Sequence, residues 1–274
     1  MLAAAGALTI AGIAGAGLAL TASPTRPAPT VPRSVPSPPV HTELAAIKPR
    51  PVIYVQAGHE PPGEPGYLAQ TGASGGPFGS EEAFNIRLAA ALEADLRSAG
   101  VIVYHTPAKV TPWGARGAVF ISVHFDQVGG SAGIGYAVDG LGRGENYYHG
   151  QGSGTASPVP YRDSAPHRHA TAVTAAVQAR SLQLARDLAA TFRPIYAARN
   201  GAHSRFRGVE PGRSGNARMQ FFYGYYRVNT GARVLIECGA AGADNGFLRR
   251  IGLIASSVSH GILAYLHQTH QLGA

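Results

Sequence analysis

Three side chains that could bind a metal lie where predicted elements end or begin. His59 follows the short apolar run at residues 52–56, and His124 closes a second run at residues 118–124. Glu81 opens a predicted helix. Because the carboxyl ends of strands in an α/β sheet gather at one edge, we expect the three side chains to meet there. Two imidazoles and one carboxylate with an open position form the ligand set of a hydrolytic zinc site.

A fourth residue could move the proton that metal-assisted hydrolysis requires. Glu237 ends the apolar run at residues 232–237. A carboxylate at the end of a buried strand is costly unless it has a partner or a task. Beside a site that activates water, Glu237 could take a proton from the nucleophile and pass it to the leaving amine.

Alternating strands and helices supply the framework for these residues. Ser80 before two glutamates is typical of a helix N-cap, and apolar residues then recur every four positions as far as Gly100. Five strands are predicted, at residues 52–56, 101–105, 118–124, 133–138 and 232–237, with further helices at 172–192 and from Phe247 onward. The pattern predicts an α/β fold, a three-layer sandwich whose mostly parallel, mixed central sheet is flanked by helices. His105 is interpreted only as the end of its strand.

The chain divides into three parts by amino-acid composition. Residues 1–22 are uncharged and apolar, which predicts a signal peptide or an N-terminal membrane anchor. Residues 23–50 are rich in proline and predict an extended linker. The catalytic domain is then expected at residues 51–274, with a probable insertion rich in Gly, Pro, Ser and His at 139–170. This organisation predicts an exported protein of the periplasm or cell wall, either released or anchored to the membrane.

Net charge limits the possible binding partners, and cysteine content limits what can stabilise the fold. The formal net charge of +8 favours anionic partners, but no uninterrupted block of arginines, zinc finger or helix-turn-helix pattern supports specific nucleic-acid binding. Cys238 is the single cysteine, so no intramolecular disulfide can form and the fold must depend on its core or on a metal. We interpret Cys238 as a small buried apolar residue.

Four segments occur in an order that resembles a known family. They are QAGHE at 56–60, GSEEAFNIRLA at 79–89, FISVHFD at 120–126 and VLIECG at 234–239. In this order the segments resemble those of zinc-dependent N-acetylmuramoyl-L-alanine amidases, and the chain is similar to a divergent member over residues 52–266. The resemblance implies that His59, Glu81 and His124 bind Zn²⁺ and that Glu237 is the catalytic acid/base. Asn85 sets the register that makes Glu81, and not Glu82, the ligand.

The resemblance also implies a substrate, and some alternatives stay open. It implies hydrolysis of the amide bond between N-acetylmuramic acid and L-alanine, with peptidoglycan as the partner and a regulatory protein unspecified. The chain departs from the family at 56–57 and 125–126, beside two of the proposed ligands. Another peptidoglycan-directed zinc peptidase and a catalytically inactive wall-binding module are therefore the alternative functions. An arginine-rich and aromatic stretch at 205–226 fits either a substrate rim or a solvated loop, and the competing histidines are His149, His167, His169 and His203.

Overall fold

The framework is built from short strands and three long helices. A computed structural model of the protein describes residues 49–61, 72–108, 114–140, 171–200, 205–212 and 228–272. In chain order the elements are β1 (Val52–Ala57), β2 (Ser74–Gly76), β3 (Gly79–Ser80), α1 (Glu81–Ser98), β4 (Ile102–Pro107), β5 (Arg116–Asp126), β6 (Ala132–Tyr136), α2 (Ala175–Asn200), β7 (Phe206–Pro211), β8 (Asn229–Ala240), α3 (Asn245–Leu248) and α4 (Ile251–Gln268).

Six of these strands form one mixed sheet in the order β4-β1-β5-β8-β6-β7. The pairs β1/β4, β1/β5, β5/β8 and β6/β7 are parallel, whereas β6 runs antiparallel to β8. The strands β2 and β3 form a separate antiparallel pair. The predicted α/β class, with a mostly parallel mixed sheet flanked by helices, is confirmed.

Side-chain alternation along the central strands separates the core from the site. Ile53 and Val55 are fully buried in a core shared with β4, β5, β6, β8 and all four helices. Each such buried aliphatic side chain contributes about 1.5–3 kcal/mol to the free energy of unfolding. The intervening positions point to the opposite face. Gln56, Ser122 and His124 therefore share a face that is not occupied by the apolar core.

The start of α1 follows the predicted capping signal. Ser80 has extended backbone angles, and its hydroxyl accepts a hydrogen bond of 3.2 Å from the backbone N–H of Ala83. Glu81 and Glu82 occupy the first turn, where a negative charge is favourable. Because the cap fixes where the helix begins, it also fixes the height of Glu81 above the sheet.

Several elements differ from the sequence expectation, among them α2, β7 and the short pair of β2 and β3, which was not predicted. The second helix was predicted to end at residue 192, but α2 continues through Pro194 to Asn200. Tyr196 stabilises this extension, since it is fully buried and donates a hydrogen bond of 2.8 Å to Asp244. The strand β7 was not predicted, because the apolar residues Phe206 and Val209 of its sequence FRGVEP are three positions apart and do not alternate with polar ones.

The structure describes only part of the domain organisation that the sequence predicts. The described residues all belong to one compact unit, Ala46–Ala274, in which Cys238 is buried in the core as expected. The predicted segment at 1–22, nearly all of the linker and residues 141–170 of the predicted insertion lie outside the described residues. Among the helices that the structure describes, none is long and apolar enough to cross a bilayer.

Candidate metal centre

The three predicted metal ligands converge at the carboxyl edge of the sheet. One side-chain donor atom from each of His59, Glu81 and His124 lies within 4.8 Å of the other two. The Nε2 atom of His59 is 3.3 Å from Oε2 of Glu81, and Nδ1 of His124 is 2.7 Å from Oε1 of the same carboxylate. A single carboxylate thus lies between two imidazoles, at the edge where the sequence predicted it.

His59 is presented by a strained turn directly after β1. Its backbone φ of +65° lies in the left-handed region, which a residue with a side chain adopts at a cost. On either side, the N–H of Gly58 donates to the carbonyl of Val123 at 3.2 Å and that of Glu60 donates to Ala57 at 3.3 Å. The Nδ1 atom of His59 is enclosed and has no hydrogen-bond partner within the described part of the chain.

Two glycines leave the space that the cluster occupies. A Cβ atom on Gly58 would lie 2.1 Å from the His124 ring. At Gly72, where φ is +69°, a Cβ atom would lie 2.4 Å from Oε2 of Glu81. Both distances are far shorter than a van der Waals contact, so the packing of the ring and the carboxylate excludes any side chain at these positions.

A hydrogen-bond chain determines which nitrogen of His124 faces the cluster. The hydroxyl of Ser122 donates to Oε1 of Gln56 at 2.7 Å and is therefore an acceptor for Nε2 of His124 at 2.9 Å. This leaves Nδ1 of a neutral imidazole with its lone pair toward Glu81. Burial lowers the pKa of His124 despite the opposing effect of Glu81. A neutral imidazole and a carboxylate that face each other through lone pairs form a site suited to a cation.

Glu81 stays ionised and is held from two sides. Burial would raise the pKa of Glu81, but the imidazoles of His124 and His59 beside it lower it well below its usual range. Its Oε2 also accepts a hydrogen bond of 2.8 Å from the backbone N–H of Ala73. One turn later, the side-chain amide of Asn85 donates to the carbonyl of Gly58 at 2.8 Å, which ties α1 to the turn that carries His59.

Glu237 lies on the strand next to His124. In the sheet register Glu237 pairs with His124 on β5 and with Gly133 on β6, so it points to the same face as the metal cluster. Glu237 is partly exposed, yet its Oε2 is enclosed and lacks a hydrogen-bond partner in the described part of the chain. Burial, followed by the negative charges of Glu81 and Asp126, raises the pKa of Glu237 well above its usual range.

Arg207 is a neighbour of this site that sequence reasoning did not single out. Its guanidinium covers Gly133, where an added Cβ would lie 3.2 Å from Nε of Arg207. Arg207 also forms long ion pairs, of 3.6 Å with Glu210 and 3.9 Å with Asp126. Its positive charge opposes the rise in the pKa of Glu237. The sequence offered Arg207 only as one of four arginines of a possible substrate rim, with Arg205, Arg213 and Arg218, so it could not select this member.

The remaining arginines, aromatic residues and histidines that the sequence offered as site candidates are either exposed or outside the described residues. Arg205 is exposed before β7. Residues 213–227 of the arginine-rich and aromatic stretch lie outside the described residues, as do the competing histidines His149, His167, His169 and His203.

Comparisons with known proteins show weak likenesses in chain course. No family model and no curated protein sequence matches the chain. The N-acetylmuramoyl-L-alanine amidase AmiC2 of Nostoc punctiforme is 16% identical, with a TM-score of 0.45, over 80% of this chain and 99% of that one. The CwlD amidase of Clostridioides difficile, solved in complex with the GerS lipoprotein, is 14% identical with a TM-score of 0.49, over 80% and 100%.

A third structure is similar to the same extent. The N-acetylmuramyl-L-alanine amidase Ami1 of Mycobacterium smegmatis is 16% identical with a TM-score of 0.47, over 79% of this chain and 97% of that one. Likenesses at this level assign no activity to the chain, so a functional conclusion has to come from the site and the motifs.

Proposed function

We propose that this protein is a zinc-dependent N-acetylmuramoyl-L-alanine amidase, which hydrolyses the amide bond between N-acetylmuramic acid and L-alanine in peptidoglycan. The observation that carries the proposal is the convergence of His59, Glu81 and His124 beside a carboxylate, Glu237, on the adjacent strand. The order of the four motifs supports the choice of bond, since the same order occurs in that family.

The residues at the centre fit zinc. Two imidazoles and one carboxylate are the donor set of a catalytic zinc site with an open position. The lowered pKa of His124 keeps one imidazole neutral, and the ionised Glu81 supplies a negative charge. The nitrogens that face the carboxylate of Glu81 are Nε2 of His59 and Nδ1 of His124, and these are the atoms that would bind the metal. Zinc held by these three side chains would lower the pKa of a water molecule to about 7 and polarise the scissile carbonyl.

Glu237 then handles the proton. Its carboxylate accepts the proton that the attacking water loses, and the same group delivers it to the nitrogen of the leaving alanine. A raised pKa suits this exchange, because a carboxyl group with an ordinary pKa would release its proton to solvent too readily. The positive charge of Arg207 opposes this rise.

The composition of the chain supports a proposal for where the enzyme acts. A basic chain with a formal charge of +8 favours anionic polymers, and the apolar segment at residues 1–22 with its proline-rich linker fits an exported protein. We therefore place the activity in the periplasm or the cell wall, with the N-terminal segment either removed or retained as an anchor.

The decisive experiment identifies the products released from purified peptidoglycan by the full-length, zinc-supplemented protein. Mass spectrometry should detect free peptide stems that begin with L-alanine, and a chelator should abolish their release. The variant Glu237→Gln should also release none while keeping its zinc. Glu82→Gln removes a carboxylate in the first turn of α1 that is not one of the three converging donors and is the matched control.

Other outcomes separate the alternative functions. Shortened stems that remain attached to muramic acid would reassign the protein as a peptidase of the same wall polymer. Binding to the wall without any product would favour the inactive binding module. Purified protein that takes up no zinc would contradict the proposed metal centre itself.

A further inference from the structure

A second cluster of histidine and glutamate side chains lies beside the metal centre. His105 on β4 places Nε2 2.5 Å from Oε2 of Glu60 and Nδ1 2.5 Å from Oε1 of Glu93. Ionised carboxylates only accept hydrogen bonds, so both ring nitrogens of His105 must donate and the ring is an imidazolium. Hydrogen bonds to Glu60 and then Glu93 raise the pKa of His105 to about 10, although burial opposes them.

One end of this cluster is fixed to the framework. Glu93 is a buried residue of α1, and its Oε2 is 2.9 Å from Nη2 of Arg97. The same nitrogen of Arg97 donates to the carbonyl of Val103 on β4 at 3.2 Å. The helix and the edge strand therefore hold Glu93 and, through it, one side of the His105 ring.

The other end reaches the turn that carries a proposed zinc ligand. Glu60 directly follows His59, whose left-handed backbone conformation needs support from its surroundings. Before His59, the amide of Asn85 holds the carbonyl of Gly58 at 2.8 Å, whereas the backbone–backbone hydrogen bonds of Gly58 and Glu60 are long, at 3.2 Å and 3.3 Å. By contrast, the hydrogen bond between His105 and Glu60 is short and joins two charged groups, which makes it one of the stronger contacts of this turn.

We propose that His105 is a positioning residue for the metal centre: by bridging Glu93 and Glu60, it fixes the turn after β1 and so aims the imidazole of His59 toward Glu81. This inference rests on the proposed zinc site. His105 itself touches no ligand and takes no part in proton transfer. It acts only through the backbone between Glu60 and His59.

The test measures zinc affinity by competition with a chromophoric chelator, together with the visible spectrum of the cobalt-loaded protein. Glu60→Ala and His105→Ala should each weaken zinc binding by about tenfold, the lower end of the effect of residues outside the ligand shell. Both should change the cobalt spectrum, which reports the geometry of the ligands. The double variant should be no weaker than either single variant, because both remove the same bridge.

Two further variants separate positioning from general destabilisation. Glu60→Gln keeps an oxygen that can accept from Nε2 of His105, so its zinc affinity and cobalt spectrum should return to those of the unmodified protein. Glu82→Ala is the matched control, because Glu82 also adjoins a proposed ligand in the sequence but contacts neither His105 nor Glu60 in the described structure. Circular dichroism of the zinc-free proteins checks that each variant is folded.

The results distinguish this inference from the proposed function. If the unmodified protein binds zinc and both alanine variants match its affinity and its cobalt spectrum, the positioning role is wrong and the zinc site stands. If the unmodified protein binds no zinc, the metal centre and the positioning role fall together. Should Glu60→Ala not fold, His105→Gln breaks the same bridge at a partly exposed position and is judged by the same two measurements.

Discussion

Two clusters built from the same residue types lie side by side, yet they are organised in opposite ways. In the metal cluster two imidazoles, of His59 and His124, share the single carboxylate of Glu81. In the neighbouring cluster one imidazole, of His105, is shared by two carboxylates. The ratio of histidine to glutamate is reversed, and so is the direction of the pKa shift. Burial lowers the pKa of His124, whereas hydrogen bonds to Glu60 and Glu93 raise that of His105 to about 10.

The difference shows how a binding site can be told from a structural contact. The second cluster is electrically closed, since the charges of His105 and Arg97 balance those of two glutamates and both ring nitrogens have partners. In the metal cluster the ionised Glu81 faces the neutral imidazole of His124, and one donor atom from each of the three residues lies within 4.8 Å of the other two. A cation would complete the metal cluster, whereas the neighbouring cluster around His105 has no open donor atom for one.

The largest expected effect comes from removing a donor atom from the metal cluster. His124→Ala should weaken zinc binding by more than the roughly 10–100-fold that residues outside the ligand shell cost, and product release should stop. His105→Ala should stay at the lower end of that range. Zinc content after dialysis and chelator competition measure both. If the two variants lost zinc affinity equally, His105 would have to be counted with the metal-binding residues.

Loss of the proposed proton carrier should have the next largest effect. Glu237→Gln should lower kcat by about 10²–10⁴-fold, the usual contribution of a general acid/base, because the amide can neither accept nor deliver the proton. Zinc content should be unchanged, since Glu237 lies on the adjacent strand and is not one of the three converging donors. A variant that lost zinc together with activity would instead make Glu237 part of the metal cluster.

The residues of the metal cluster could be predicted from the sequence, whereas the contacts of His105 could not, and the reason is physical. Each metal-cluster residue follows a strong local signal, such as the apolar run before His59 or the Ser80 cap before Glu81, and the edge rule for α/β sheets then brings them together. His105 was interpreted as a strand end, because its partners are 45 and 12 residues away and no local pattern announces them.

The same reasoning explains the other misses. The strand β7 depends on pairing with β6 across an irregular register, so its sequence alone carries little apolar alternation. Arg207 acquires its place beside Glu237 only through that pairing and through the missing side chain at Gly133. Contacts that depend on two non-local strand pairings are beyond a reading of local signals.

The close packing of Gly58 against His124 provides a further test of the metal cluster. Gly58→Ala would place a methyl group 2.1 Å from the ring of His124, so we expect a loss of about 1–3 kcal/mol in the free energy of unfolding and a displaced ligand. Gly246→Ala is the matched control, since nothing lies within 4 Å of its added methyl group. Urea unfolding of the zinc-free variants and their zinc affinities are the measurements. An undisturbed zinc affinity in Gly58→Ala would show that the ring of His124 can move without harm to the site.

The smallest effect concerns how the neighbouring cluster depends on pH. The folded-state pKa of His105, about 10, lies above the unfolded value of roughly 6.5, so its stabilisation is complete below pH 6.5 and is lost as the pH rises toward 10. Because the side chain is 36% exposed, solvent screening should limit this contribution to about 1 kcal/mol or less. Urea unfolding in the presence of a chelator should therefore show a stability gap between the unmodified protein and His105→Gln that narrows from pH 6 to pH 10. A gap that stayed constant with pH would mean that His105 is held by packing and not as an imidazolium between two carboxylates, and the contrast with the metal cluster would then rest on geometry alone.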